Sequence, residues 1–222
     1  MYKAWGKRFL DIILSFCGLI CLSWVFLILA IAIYVDDPGP IFFTQKRVGR
    51  KKNGEISYFK LHKFRSMKMS TPHDTPTHLL ENPEQYITKV GRFLRKSSLD
   101  ELPQIWDIFV GEMSVVGPRP ALWNQDDLVA EREKYGANDV TPGLTGWAQV
   151  NGRDELEIPV KAKLDGHYVK NLTLKMDVTC FLMTIGSVLK SKGVVEGGTG
   201  VLAKMAEEAR NAGEEDKTGT DK

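Results

Sequence analysis

The sequence contains little cysteine and no cluster of cysteines and histidines that would form a zinc site. Its 222 residues include three cysteines, and no two of them have the spacing of a zinc site. Cys17 and Cys21 lie one helical turn apart inside an apolar segment, where a thiol behaves as a small hydrophobic group. The odd number predicts no disulfide framework, which suits a reducing compartment. The four histidines are scattered, so we expect no metal site built from them.

Motifs for nucleotide and nucleic-acid binding are also missing. Neither a Walker motif nor a glycine-rich dinucleotide fingerprint occurs, so a nucleotide would need to be held by another arrangement. The formal net charge is only +2, which does not indicate a nucleic-acid partner, and we expect none. The length suits one compact domain with appendages.

One long apolar run, from Phe9 to Val35, is the main feature of the amino-terminal region. About 20 helical residues span a bilayer core, so this run is long enough to enter a membrane. Basic residues flank it on both sides: Lys3, Lys7 and Arg8 before, and Lys46, Arg47, Arg50, Lys51 and Lys52 after. The positive-inside rule places both flanks in the cytoplasm, and a straight span cannot satisfy this. We therefore predict a helix that enters the membrane, bends and returns.

The cause of the bend is less obvious, because the run contains no proline. Ser23 lies near the middle, and its hydroxyl can bond a backbone carbonyl one turn earlier. Asp11, near the start of the run, can stay close to the membrane interface, where a carboxylate costs little.

The rest of the chain predicts short strands and amphipathic helices. We expect strands at 41–45 and 57–61 around an Asn53-Gly54 turn. Helices are expected at 86–94, from Leu99 onward with Ser97 or Ser98 as the cap, at 122–135, at 158–170 and at 176–189. The last is too short to span a membrane, so it belongs to the core or lies on a membrane surface.

Three segments combine charged side chains with turn residues. The first, 95–104, contains Asp100 and Glu101 at a predicted helix start, where a carboxylate suits either capping or a role as nucleophile or Mg²⁺ ligand. The second, 111–120, fixes Arg119 between two prolines, which suits either phosphate binding or an ordinary turn. The third, 141–153, is rich in glycine and suits either close approach to a ligand or a tight hairpin.

Together with further ordered motifs, these segments resemble the bacterial sugar transferase family, the small monotopic polyprenyl-phosphate phosphoglycosyl transferases. The resemblance runs from about Lys7 to Gly193. It is carried by Lys7-Arg8 and Asp11, Asp37-Pro38-Gly39-Pro40, Gln45-Lys46-Arg47-Val48-Gly49, Lys63-Phe64-Arg65-Ser66-Met67, Asp100-Glu101, Gly117-Pro118-Arg119-Pro120 and Gln149-Val150-Asn151-Gly152-Arg153. The sequence departs from the family at Ser23-Trp24, where small members carry Ser-Pro.

The resemblance implies an α/β fold with a re-entrant amino-terminal membrane helix and amphipathic surface helices. Residues 1–36 would be the anchor, 37–195 the catalytic domain and 196–222 a loose tail. It implies a UDP-sugar donor, a polyprenyl (undecaprenyl) phosphate acceptor, membrane lipids as surroundings, and a place on the cytoplasmic face of the bacterial inner membrane.

The resemblance also assigns roles to residues. Asp100 would be the nucleophile that forms an aspartyl phospho-sugar and releases UMP, and Glu101 its partner. Both would hold Mg²⁺. Substrate binding would fall to Arg95, Arg119, Arg153, Lys63, Arg65 and Gln149.

Two other functions are consistent with parts of the sequence. A membrane-anchored scaffold or lipid-binding module would use the apolar run and the basic clusters, but it has no need of the Asp100-Glu101 pair. A glycosyltransferase that moves only the sugar would release UDP instead of UMP. The oligomeric state, including a homo-oligomer, stays open.

Overall fold

The computed structural model describes residues 2–71, 83–152 and 156–190. These residues form a mixed helix and sheet fold, as predicted, and the expected tail at 196–222 lies outside them. The helices are α1 Lys7–Cys21, α2 Ser23–Asp36, α3 Lys89–Ser97, α4 Gln104–Val110, α5 Asp126–Glu133, α6 Trp147–Val150, α7 Ile158–Lys170 and α8 Leu174–Lys190. The strands are β1 Phe42–Lys52, β2 Glu55–Phe64, β3 Ser114–Val116 and β4 Gly143–Thr145.

The apolar run folds into two helices that meet at an angle. Helices α1 and α2 are bent by 59° at Leu22, and the hydroxyl of Ser23 donates to the carbonyl of Ile20 at 2.8 Å. The predicted bend and its serine contact are therefore both present. Among the described residues, no single helix is long and apolar enough to cross a membrane, whereas this bent pair meets the length and composition required.

The amino-terminal charges contact the folded domain rather than standing apart from it. Lys7 lies 2.7 Å from Asp177 of α8, and Arg8 donates to the carbonyls of Ile108 and Phe109 at the end of α4. A cation interacts favourably with the carbonyl oxygens at the end of a helix. These two side chains were expected only to flank the membrane, so the sequence reading missed their structural role.

Asp11 also differs from the expectation that it stays at the membrane interface. Its side chain is buried, and its Oδ1 accepts a hydrogen bond from the Val115 backbone N–H at 2.9 Å. Because this bond joins α1 to β3, the apolar run is attached directly to the strand that precedes Arg119.

Strands β1 and β2 form the predicted antiparallel hairpin, but each is about twice as long as expected. Asn53 and Gly54 both have positive φ, 53° and 86°, as the tight turn between them requires. The predicted strands were too short because the charged residues that follow Gln45 do not alternate with apolar ones. Inward-facing residues such as Phe59 and Leu61 place one face of the hairpin against Ile108 and Met113.

Strands β3 and β4 are parallel neighbours, so β4 does not belong to the tight hairpin that was one of the two interpretations of the glycine-rich segment. A Cβ on Gly143 would lie 2.0 Å from the Gly117 nitrogen, and one on Gly146 would lie 2.1 Å from the Gly117 oxygen. The glycines therefore permit close contact between two stretches of this chain's own backbone. Gly117 donates to Thr145 at 2.7 Å and so fixes the start of the Pro118-Arg119-Pro120 turn.

The helix predictions were correct in position more often than in length. Helix α7 has the predicted bounds, whereas the helix expected at 122–135 is only Asp126–Glu133, because Leu122 bridges to Arg47 of β1. The helix expected at 86–94 begins at Lys89, after Thr88 caps it by accepting from the Gly91 N–H.

Helix α8 has two distinct faces. Asp177 and Cys180 are buried against the domain. The opposite face carries apolar side chains that stay exposed: Leu174, Val178, Phe181, Leu182 and Ile185. Their spacing of three and four residues places them in one stripe along the helix. The helix therefore belongs to the core on one side and leaves an apolar surface on the other.

Candidate active site

The two adjacent carboxylates lie on a short turn between two helices. Residues Leu99–Glu101 form a single 3₁₀ turn that follows Ser98, whose φ of 56° ends α3. No side-chain capping bond is made at that turn, and the hydroxyl of Ser97 donates back to Phe93, so the predicted serine cap is wrong. Asp100 is 2% exposed, so this carboxylate is held inside the domain.

Two cations from distant parts of the chain contact the dyad. Lys63 Nζ lies 2.8 Å from Glu101 Oε1 and 3.8 Å from Asp100 Oδ2. Arg119 Nη2 lies 2.8 Å from the same Glu101 oxygen. Lys63 reaches the dyad from the end of β2, and Arg119 from the turn after β3. Three of the motifs quoted from the sequence therefore meet at one place.

The charge state of Glu101 follows from these contacts. Burial alone would raise the pKa of this carboxyl group, but the opposite charges and hydrogen bonds of Arg119 and Lys63 outweigh burial. The pKa of Glu101 therefore lies well below its ordinary value. The side chain stays ionised over the pH range in which an enzyme works.

The turn that carries Arg119 is held by two other arginines. Arg132 donates from Nη1 to the Arg119 carbonyl at 3.0 Å, and Arg47 donates from Nη1 to the Pro120 carbonyl at 3.1 Å. Arg132 is in turn paired with Asp165 of α7, and both side chains are buried. The backbone that follows the Arg119 side chain is therefore fixed.

The other predicted substrate-binding arginines occupy a different neighbourhood. Arg95 donates from Nε to the Ser66 hydroxyl at 3.0 Å. Arg65 donates to the side chain and backbone carbonyl of Asp37, just after α2. These contacts join α3, β2 and the end of the apolar run. They do not bring Arg65 or Arg95 to the dyad, and no contact that the structure describes assigns them to a substrate.

The last two predicted residues can be placed only in part. Gln149 belongs to α6, and both polar atoms of its carboxamide are buried without a hydrogen bond among the described residues. Arg153 lies outside the described residues.

Sequence reasoning missed three residues around the site. Arg47 and Arg132 hold the Arg119 turn, and Gln104 lines a crevice with Lys63 and Arg119. For Arg132 the sequence offers one indication. An arginine in a helix that mixes charged and apolar residues can turn inward and pair with a buried aspartate. Arg47 was named in a basic cluster and in a family motif, but neither gave it a role, so its contact with Pro120 was not predicted.

The dyad also provides the ligand types that a hard divalent cation uses. Mg²⁺ commonly binds one or two carboxylates together with substrate phosphates and water. Within the described ranges, no group of three or more Asp, Glu, His or Cys side chains converges in a way that could hold a metal ion. Asp100 and Glu101 are two carboxylates of this type on one turn.

Comparison with known proteins identifies the family in which these motifs occur. The match to the family described as bacterial sugar transferase covers residues 2–191. The uncharacterized sugar transferase EpsL of Bacillus subtilis is 37% identical over 188 residues, which are 85% of this chain and 89% of EpsL.

Two longer relatives have names that state an activity. The UDP-glucose:undecaprenyl-phosphate glucose-1-phosphate transferase of Escherichia coli is 36% identical over 192 residues, 81% of this chain and 39% of that enzyme. The UDP-N-acetylgalactosamine-undecaprenyl-phosphate N-acetylgalactosaminephosphotransferase of Aeromonas hydrophila is 34% identical over 197 residues, 86% of this chain and 45% of that enzyme. The apolar run, the dyad and the Arg119 turn all lie inside the matched region of the family. The chain belongs to the bacterial sugar transferase family.

Proposed function

We propose that this enzyme transfers a sugar-1-phosphate from a UDP-sugar to polyprenyl phosphate and releases UMP. The observation that carries the proposal is the buried Asp100 next to an ionised Glu101, with Lys63 and Arg119 in contact with the pair. A carboxylate nucleophile must approach a negatively charged diphosphate, and fixed cations at that point lower the repulsion. The activities in the names of the longer relatives support the same reaction class.

The first step would be attack by an Asp100 carboxylate oxygen on the phosphorus that bears the sugar. The new bond joins that oxygen to phosphorus. The bond to the bridging oxygen of the diphosphate breaks, and UMP leaves with the electron pair. In the second step, a phosphate oxygen of the polyprenyl phosphate attacks the same phosphorus. The Asp100–phosphorus bond then breaks, which restores the carboxylate and gives the polyprenyl diphosphate sugar.

Charge is conserved in both steps without a proton transfer, so no general base is needed. Glu101 would not serve as a base in any case, because its lowered pKa makes it a poor proton acceptor. Its contacts suit a positioning role, since it binds both Arg119 and Lys63, and Lys63 lies 3.8 Å from Asp100. Mg²⁺ held by Asp100 and Glu101 would supply further neutralisation of the diphosphate charge.

The acceptor is a membrane lipid, so the site must lie close to a bilayer. We propose that the bent pair α1 and α2 enters the membrane and returns on the cytoplasmic side. Helix α2 supports this, because it is apolar around its whole circumference and only Leu29 and Ile33 are buried. The exposed apolar stripe of α8 suits contact with the same membrane surface.

The nucleotide product tests the reaction class. A panel of UDP-sugars is supplied to the purified protein with Mg²⁺ and polyprenyl phosphate, and the released nucleotide is identified by chromatography. We expect UMP from at least one donor. Release of UDP instead would assign a glycosyltransferase that moves only the sugar. No turnover with any donor would favour a scaffold or lipid-binding module.

A further inference from the structure

Gln104 is a buried polar side chain that the reaction described above does not use. It is the first residue of α4, three positions after Glu101, and it is only 2% exposed. Its Nε2 is buried and has no hydrogen-bond acceptor among the described residues. Buried amide donors in folded proteins are nearly always paired, so an unsatisfied one calls for an explanation.

The position of Gln104 points to a partner that is absent from the chain itself. The side chain lines a crevice together with Lys63, Arg119 and Arg47, and with Leu61 and Pro120. Three of these residues are cations, and two of them contact the catalytic dyad. Cations and a buried N–H donor are the groups that bind an anion with several acceptor oxygens.

Resting on the proposed function, we infer that the Gln104 carboxamide donates a hydrogen bond to a phosphate oxygen of the UDP-sugar diphosphate. The assignment goes to the donor substrate because the crevice includes Lys63, which lies 3.8 Å from Asp100, and Arg119, which contacts the adjacent Glu101. A diphosphate bound there would place its sugar-bearing phosphorus near the nucleophile. An amide suits this position since it donates to an anion without adding charge or titrating.

A structural role for Gln104 makes a different prediction. If the amide held the dyad turn in place, its loss would lower stability. If the amide instead binds a ligand, an apolar side chain of similar size removes an unsatisfied buried donor. The stability of the ligand-free protein should then stay the same or rise. Gln104→Met is the suitable variant, because methionine is unbranched and fills nearly the same space.

The test uses UDP as the probe, since it carries the nucleoside diphosphate common to every donor. UDP binding to the full-length protein with Mg²⁺ is measured by calorimetry, and unfolding temperatures are measured without ligand. We expect Gln104→Met to bind UDP about tenfold more weakly or worse, the loss typical of a hydrogen bond to a charged group. Its unfolding temperature should be no lower than that of the wild type. Equal affinity, or weaker binding together with a lower unfolding temperature, would overturn the inference.

Gln104→Glu gives an independent check through charge. A carboxylate that shares the crevice with Lys63 and Arg119 stays ionised, so it can only accept a hydrogen bond and it repels the diphosphate. Gln104→Glu should therefore bind UDP more weakly than Gln104→Met in the same calorimetric measurement. Equal or tighter binding by the Gln104→Glu variant would count against the hydrogen bond. Failure of the wild type to release UMP from any UDP-sugar is a separate result, and it would reject the proposed function itself.

Discussion

Asp165 pairs with Arg132 inside the domain, with Oδ2 at 2.8 Å from Nε and 2.6 Å from Nη2. The pair joins α7 to α5, and the remaining guanidinium nitrogen donates to the Arg119 carbonyl. One buried ion pair therefore links α5 and α7 to the turn that carries Arg119, a cation of the active site.

Arg132→Met should destabilise the protein and reduce activity together. The substitution leaves Asp165 buried without its cation, a change that typically costs about 3–5 kcal/mol. It also frees the Arg119 turn on one side. Thermal or denaturant unfolding in detergent measures the first effect, and the initial rate of UMP release measures the second.

Lys51→Met is the matched control, because Lys51 pairs with Glu133, the next residue of α5, on the exposed surface. We expect that variant to change little. Equal losses from both would show that burial of the pair is unimportant.

Lys63→Met should move the acidic limb of the pH–rate profile to higher pH. Lys63 and Arg119 hold the pKa of Glu101 below its ordinary value despite burial, so the wild type keeps Glu101 ionised well into the acidic range. Without Lys63, burial has less opposition, and the pKa of Glu101 rises. The variant should therefore lose activity at a pH at which the wild type still works. UMP release measured between about pH 5 and about pH 8 gives the profile.

Two further variants separate this effect from a general loss of basic charge. Lys63→Arg keeps the positive charge and should shift the acidic limb less than Lys63→Met. Lys60→Met removes an exposed cation three residues earlier on β2 and should leave the profile unchanged. An identical shift in the Lys60 variant would contradict the assignment to Glu101.

How much of this site was predictable from sequence depended on the distance over which each residue acts. The Asn53-Gly54 turn and helix α7 follow from local patterns, and both were predicted correctly. Lys63 and Glu101 are 38 positions apart. No local sequence rule pairs them, so only the family resemblance assigned both residues to the same site. Their contact is set by the packing of β2 against the turn that carries the dyad.

The errors also have physical reasons. Lys7 and Arg8 lie beside an apolar run, and sequence patterns cannot distinguish a membrane-facing cation from one that contacts Asp177 or a helix end. Glycines pose a similar problem. Gly143 and Gly146 signal close approach, but the sequence does not say whether a ligand or another strand comes close. Here the partner is the backbone of Gly117.

Asp100→Asn should abolish UMP release while the protein stays folded. An amide cannot act as the anionic nucleophile, so neither a burst of UMP nor a phospho-sugar adduct should form. The wild type with Mg²⁺ and its UDP-sugar, but no acceptor, should release about one UMP per site and gain the adduct mass, as covalent catalysis requires.

Glu101→Gln and a surface substitution complete that comparison. Glu101→Gln should be severely impaired, because Lys63 and Arg119 lose the charge that orients them. Asp126→Asn alters an exposed aspartate of α5 and should behave like the wild type. Turnover by Asp100→Asn near the wild-type rate, or UMP release that requires polyprenyl phosphate, would reject the covalent scheme.

The membrane arrangement makes the last prediction: Lys3 and Lys52 should lie on the same side of the bilayer, in the cytoplasm. The two helices between them are bent by 59° at Leu22, so the chain can turn back instead of crossing. The start of the run is also tied to the domain that follows it, since Lys7 contacts Asp177 and Asp11 accepts from Val115. If the run crossed the bilayer, the domain would lie on the opposite side from Lys7 and Asp11. It would also be separated from UDP-sugars, which are made in the cytoplasm. Single cysteines at positions 3 and 52, with Cys17, Cys21 and Cys180 replaced, are treated in intact cells with a membrane-impermeant thiol reagent. Neither should react until the cells are opened, and labelling of position 52 alone from outside would mean that the chain crosses the membrane.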